Sequence, residues 1–177
     1  MPAVTSEGFT EMKVHRLVLD PNTNSPIVIL QSEASGVMLP IWIGIFEAHA
    51  IAMKMEGIQS PRPMTHDLLS NTIAVMHGLV ERVEVVDLVD NTYFARVYFQ
   101  VKDERYSIDS RPSDAIALAL RAPSPIFVAN HVLEKSKIEP TPELEEARAG
   151  GDEGEEEDEW TRILKNFNPP GGREKIN

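Results

Sequence analysis

The chain has 177 residues, with a hydrophobic share of 42%, a charged share of 25% and a net charge of −11. That is enough for one domain with a true core plus an appendage. The absence of cysteine excludes a disulfide framework, a cysteine–zinc site and thiol nucleophilic catalysis.

No run reaches the ~18 apolar residues of a membrane span. MPAVTSEGFTEM lacks the basic region and apolar core of a secretory signal. A soluble, cytoplasmic protein is therefore expected. From Glu134 onward 13 acids face 7 bases, a net of −6, which leaves −5 for residues 1–133. A domain that grips phosphate backbones usually carries a basic footprint, and this one does not.

Residues 1–11 read as a flexible leader. Met12 to Leu19 follows the strand period, DPNTNSP is a turn cluster, and Ile27 to Leu30 is a second strand. A turn at Glu33 to Gly36 leads into a third strand, Val37 to Ile43, which breaks at Gly44. Ala48, Ile51, Ala52 and Met55 then recur at helical spacing, and Gly57 suits a left-handed helix end. In SPRP, Pro61 and Pro63 hold Arg62 on stiff, extended backbone. Thr65 reads as the N-cap of a second helix with His66 and Asp67 in its first turn, and Gly78 as its terminator.

The pattern then starts again. Val80 to Val89 is a β-branched strand, Asp90-Asn91 a turn, Tyr93 to Val101 a strand, and Arg105 to Ile108 another after a turn near Asp103-Glu104. Ser110 is placed to cap a third helix with Pro112 in its first turn and a stripe of Ser113, Ile116, Ala117 and Leu120. Pro125 to Val128 is a last short strand. Ala50 to Met55 aligns with Ala115 to Leu120 without a gap, and the same register sets Ile43 on Ile108 and His49 on Asp114. The expected architecture is α+β: one domain, residues 12–133, of two duplicated strand-strand-strand-helix halves, with a largely antiparallel sheet and helices on one face.

Residues 134–159 are proline-punctuated and then acidic, which predicts a disordered linker. Within 160–168, Trp160, Ile163, Leu164 and Phe167 lie on one helical face before NPPGG, with 169–177 as a flexible tail. That short amphipathic helix would dock on its own domain or on a protein partner.

Several residue types suit phosphate chemistry. His66 near a helix N-terminus is favoured in its neutral form, as a general base needs, while Asp67 offsets that; equally, Thr65 and Asp67 could simply satisfy the open helix amides. His49 and Asp114 would form a His–carboxylate pair if a pseudo-twofold brings the helix starts together, with Glu47 near by, or else are unrelated flank residues. Arg62 and Arg111 each precede a proline, and a guanidinium on rigid backbone chelates phosphate or bonds turn carbonyls. Arg111 could equally meet Asp114 or Asp109. Asp114 and Asp109 are the carboxylates that would help hold a divalent cation such as magnesium or manganese, although no spacing here is diagnostic of a metal site. There is also no P-loop and no dinucleotide fingerprint.

LPIWIGIFEAHAIA, PRPMTHDLL, and SRPSDAIALALR with PIFV together resemble the bifunctional nuclease domain family, over roughly Val14 to Val132. The resemblance implies a nuclease that hydrolyses phosphodiester bonds in RNA and DNA, with nucleic acid as its partner. The acidic charge balance favours a different reading, a non-enzymatic interaction module whose motif residues are structural and whose tail recruits a partner. A free strand edge in a sheet of this kind also points to a homo-oligomer.

Overall fold

The computed structural model describes residues 8–20 and 22–136. The acidic linker beyond residue 136, the apolar face at Trp160 to Phe167 and the tail lie outside the described residues. Seven strands form one mixed sheet: β1 (Phe9–Leu19), β2 (Pro26–Gln31), β3 (Met38–Trp42), β4 (Gly78–Val89), β5 (Thr92–Val101), β6 (Glu104–Ser110) and β7 (Ile126–Ala129). Four helices accompany them: α1 (Ile45–Met55), α2 (Thr65–Val75), α3 (Pro112–Arg121) and α4 (Asn130–Lys135). The fold class is α+β, as the pattern of elements predicts. Among the described residues no helix is long and apolar enough to cross a membrane.

The sheet order is β3-β2-β1-β7-β4-β5-β6, so the last strand in the chain occupies the middle. All pairs are antiparallel except β4 with β7. β1 changes partner along its length, pairing with β7 from Phe9 to Met12 and with β2 from Lys13 to Leu19. The expected leader therefore gives way to strand at Phe9, three residues sooner than the periodicity indicates.

β2 is buried on both faces. Val28 and Leu30 enter the main core, while Ile27 and Ile29 form a small cluster with Val18 and Met38 on the opposite side. All four helices contribute to the main core, through Ile51 of α1, Ile73 of α2, Ile116 of α3 and Val132 of α4. α3 is buried nearly all round, from Pro112 to Ala119, because α1 and α2 cover the sides the sheet leaves open. Its small residues, Ala115, Ala117 and Ala119, allow that close approach.

Helix ends follow local chemistry with three corrections. At the end of α1, the Gly57 amide meets the Lys54 carbonyl at 3.3 Å and the Ile58 amide the Met53 carbonyl at 2.8 Å, with Gly57 at φ +66. This is the paired closure that a left-handed glycine permits. Thr65, by contrast, is the first helical residue of α2; Met64 is the N-cap, and the Asp67 carboxylate accepts its amide at 2.9 Å. The left-handed position after α2 belongs to His77 (φ +59), and Gly78 opens β4. Likewise Arg111, not Ser110, caps α3, and Ser110 closes β6.

The order strand-strand-strand-helix occurs twice, once on each side of β7. The two runs are not congruent. In the register that sets Ile43 on Ile108, the first helical residue, Ile45, falls on Ser110, which is still in β6.

Candidate active site

Three helix starts supply the polar residues. Glu47 lies in the first turn of α1, His66 and Asp67 in that of α2, and Asp114 in that of α3. Carboxylates are favoured there because the open amides carry partial positive charge.

Four side chains join into a chain across these helices. His66 Nε2 lies 2.9 Å from Asp114 Oδ1. Arg111 Nε donates to Asp114 Oδ2 at 2.7 Å, and Arg111 Nη2 pairs with Glu47 Oε1 at 2.7 Å. Burial pushes Asp114 up, but the hydrogen bonds from Arg111 and His66 outweigh it and hold the carboxyl below its ordinary value. An ionised Asp114 takes a proton-bearing Nε2, so a neutral His66 keeps its lone pair on Nδ1. Within the chain, His66 and Glu47 are largely buried, whereas the Arg111 side chain is 65% exposed. Both ends of the chain, Glu47 and His66, are thus held inside, and its middle member Arg111 faces solvent.

A second polar cluster sits at the other end of α3. Arg121 donates from Nε to Asp67 Oδ1 at 2.6 Å, from Nη1 to the Ala117 carbonyl at 2.9 Å and from Nη2 to the Ala50 carbonyl at 3.1 Å. Burial raises the Asp67 pKa, yet the Met64 amide and Arg121 together bring it below the usual aspartate value. Asp114 and Arg121 are seven residues apart, so they lie on one stripe of α3 about 10 Å apart along its axis. Consecutive residues of α2 meet both, His66 the first and Asp67 the second.

Asp67 and Arg121 also line a cavity of ≈ 490 Å³, with Lys54, Gln59, Ser60 and Asn71 as its other polar groups and Ile58 and Met64 among its apolar ones. Arg62, His66 and Arg111 are not among the residues lining this cavity. Arg62 is exposed on the segment before α2 and is outside the cavity lining. Asp109 is exposed on β6, where it lies opposite Arg96. His49 is half-buried on α1, and burial lowers its pKa.

The sequence leaves His49 and Asp114 open to two readings, a pair or unrelated flank residues; the two Asp114 oxygens face His66 and Arg111. Arg121 had no role assigned from sequence, although it closes the SRPSDAIALALR motif. Its only local signal is a basic residue in the last turn of an otherwise apolar helix.

Residues 28–141 match the bifunctional nuclease domain. The chain belongs to that family. It is 33% identical over 159 residues to an uncharacterised protein of Mycobacterium tuberculosis, covering 90% of this chain and 95% of the relative. It is 26% identical over 129 residues to bifunctional nuclease 1 of Oryza sativa subsp. japonica, and 30% identical over 112 residues to bifunctional nuclease 2 of Arabidopsis thaliana. These alignments cover 70% and 62% of this chain but only 39% and 34% of the plant proteins.

Within this bifunctional nuclease domain, no group of three or more His, Asp or Glu among the described residues is placed to hold a metal ion. The donor set explains why. Both Asp114 oxygens face Arg111 and His66, both Asp67 oxygens face Arg121 and the Met64 amide, and Asp109 stands apart on β6. The residues as arranged do not fit a divalent ion.

Proposed function

We propose that this bifunctional nuclease domain hydrolyses phosphodiester bonds of RNA or DNA, with His66 as general base. The observation that carries the reading is the chain Glu47–Arg111–Asp114–His66 across three helix starts. Asp114 holds the imidazole in one tautomer and stabilises the imidazolium that forms when Nδ1 takes a proton from water. Glu47 and Asp114 fix Arg111 from two sides while leaving it further N–H donors, which would bind the attacked phosphate and its developing charge. Arg62, on its proline-stiffened segment, would contact a flanking phosphate. Asp67 serves the structure by capping α2 and pairing with Arg121. No step is routed through a metal.

The test is cleavage of single-stranded RNA and DNA by wild type, His66→Ala and Asp114→Asn, each with and without EDTA. Both variants must keep the wild-type melting profile. General-base catalysis accounts for about 10²–10⁴-fold in rate, so a loss of that order in folded variants is expected. Loss on adding EDTA alone would bring in a metal and reassign the carboxylates.

Unchanged cleavage in folded variants would favour the second reading, an interaction module in which the same chain of contacts is structural. Its support is that both oxygens of Asp114 and of Asp67 already have partners within the domain and that the protein carries −11. In that reading 160–168 binds a protein partner. The cytoplasmic location, and an ancestral duplication behind the two strand-strand-strand-helix runs, belong to the same set of proposals. The repeated element order supports the duplication.

A further inference from the structure

The sheet ends on β3 at one side and β6 at the other. β3 carries Pro40 at its centre, which lacks an amide and blunts that edge. β6 has no proline, and six of its seven residues are exposed.

Backbone geometry says which groups on β6 are free. β5 and β6 are joined through Lys102-Asp103, with Val101 opposite Glu104. A two-residue hairpin closes on a hydrogen-bonded pair, and such pairs then alternate along the ladder. Glu104, Tyr106, Ile108 and Ser110 therefore turn their backbone groups toward β5. Arg105, Ser107 and Asp109 turn an N–H and a C=O each away from the sheet.

Side chains alternate in the same way. Tyr106 and Ile108 lie opposite Phe99 and Val97, which reach the core, so they stand on the helix-bearing side of the sheet. Both remain 44% exposed, although Tyr106 stacks on Phe99 at 5.6 Å between ring centroids.

We propose that β6 pairs antiparallel with β6 of a second copy about a twofold axis at Ser107. This register sets Arg105 against the partner's Asp109, Ser107 against the partner's Ser107, and Asp109 against the partner's Arg105. Every outward N–H and C=O on the edge then finds a partner. A slip of two residues either way leaves one of the three residues unpaired.

The same register brings Tyr106 against the partner's Ile108, twice, in the closer, non-hydrogen-bonded type of pair. The charges that usually keep an edge strand solitary are here reciprocal. Arg105 leans on Glu81 at 3.0 Å in the single copy, and its guanidinium has donors left for a facing carboxylate.

The test is sedimentation velocity of the full chain over a dilution series, for wild type, Arg105→Asp, Asp109→Arg and the double variant, each with a melting profile. Wild type is expected as a dimer. Either single variant places two like-charge pairs across the axis, and about a tenfold weaker dimer follows from the worth of such pairs. The double variant restores reciprocal charge and with it the dimer. An equimolar mixture of the two single variants forms a heterodimer, because two acidic side chains at positions 105 and 109 then face two basic ones.

A wild type that stays monomeric overturns the proposal, including the case in which residues 137–177 cover β6. So does a dimer indifferent to both charges, which would place the interface elsewhere, such as the exposed Leu68 and Val75 of α2 and Met76 just after it.

Discussion

Arg121, 6% exposed, holds three helices at once through Asp67, its own Ala117 carbonyl and the Ala50 carbonyl of α1. Replacing it with methionine keeps much of the packing but leaves two carbonyls and a carboxylate without their donor. Removing one partner of a buried pair costs about 3–5 kcal/mol, and Arg121→Met is expected near the lower end because Asp67 is partly solvated. Urea unfolding measures it; a loss below about 1 kcal/mol would show that water replaces the guanidinium. The sequence singled out His66, Asp67, His49, Glu47, Arg62, Arg111, Asp114 and Asp109 as chemical groups, since helix starts and Arg-Pro pairs are local signals; Arg62 and Asp109 stand apart from the chain of four side chains. It offered Arg111 with Asp114 as one alternative and did not tell that His66 joins them. His66 and Asp114 are 48 residues apart, and their contact depends on how α2 crosses α3.

Glycines separate two kinds of demand at the scale of elements. Gly57 has φ +66 and open space where a Cβ would be, so Gly57→Ala meets only backbone strain, about 1 kcal/mol. At Gly78 the conformation is ordinary, but a Cβ would lie 2.9 Å from Ile73 Cγ2 and 3.0 Å from the Ile73 carbonyl oxygen. Gly78→Ala must therefore push β4 away from α2, at about 1–3 kcal/mol for such overpacking, and its melting temperature is expected below that of Gly57→Ala. Equal losses at the two sites would show that α2 gives way easily. Gly57 is legible from its place after an apolar helical face. The need at Gly78 is not, because α2 and β4 approach each other only in the assembled fold, while His77 takes the left-handed position.

The whole molecule responds to pH through groups whose pKa values burial and pairing have moved. Asp67 and Asp114 are both held below the ordinary aspartate value. Their contribution to stability is thus complete above the unfolded value of about 4 and is lost as pH falls through the lower folded values. His49, lowered by burial, works in the same direction at higher pH. Below about 6.5 the unfolded chain takes its proton first, so stability begins to decline there. Melting temperature is expected to fall gently below pH 6.5 and steeply below pH 4. Asp67→Asn should reduce the steep part, and an unaltered acid limb would remove Asp67 from the account.

The sequence by itself determined the order of β1 to β7 and of α1 to α3, though not α4, together with the closure at Gly57 and the Asp90-Asn91 turn, where both residues take positive φ of 48 and 59. It also carried the three motifs that mark the family. These are set by periodicity and turn chemistry acting over a few residues. Only the tertiary structure decided that β7 inserts between β1 and β4, with a parallel bond to β4, and that β1 divides its length between two partners. It alone brought His66 to Asp114 and Asp67 to Arg121. Those contacts follow from the packing of α3 between α1, α2 and the sheet, which depends on residues far apart in the chain.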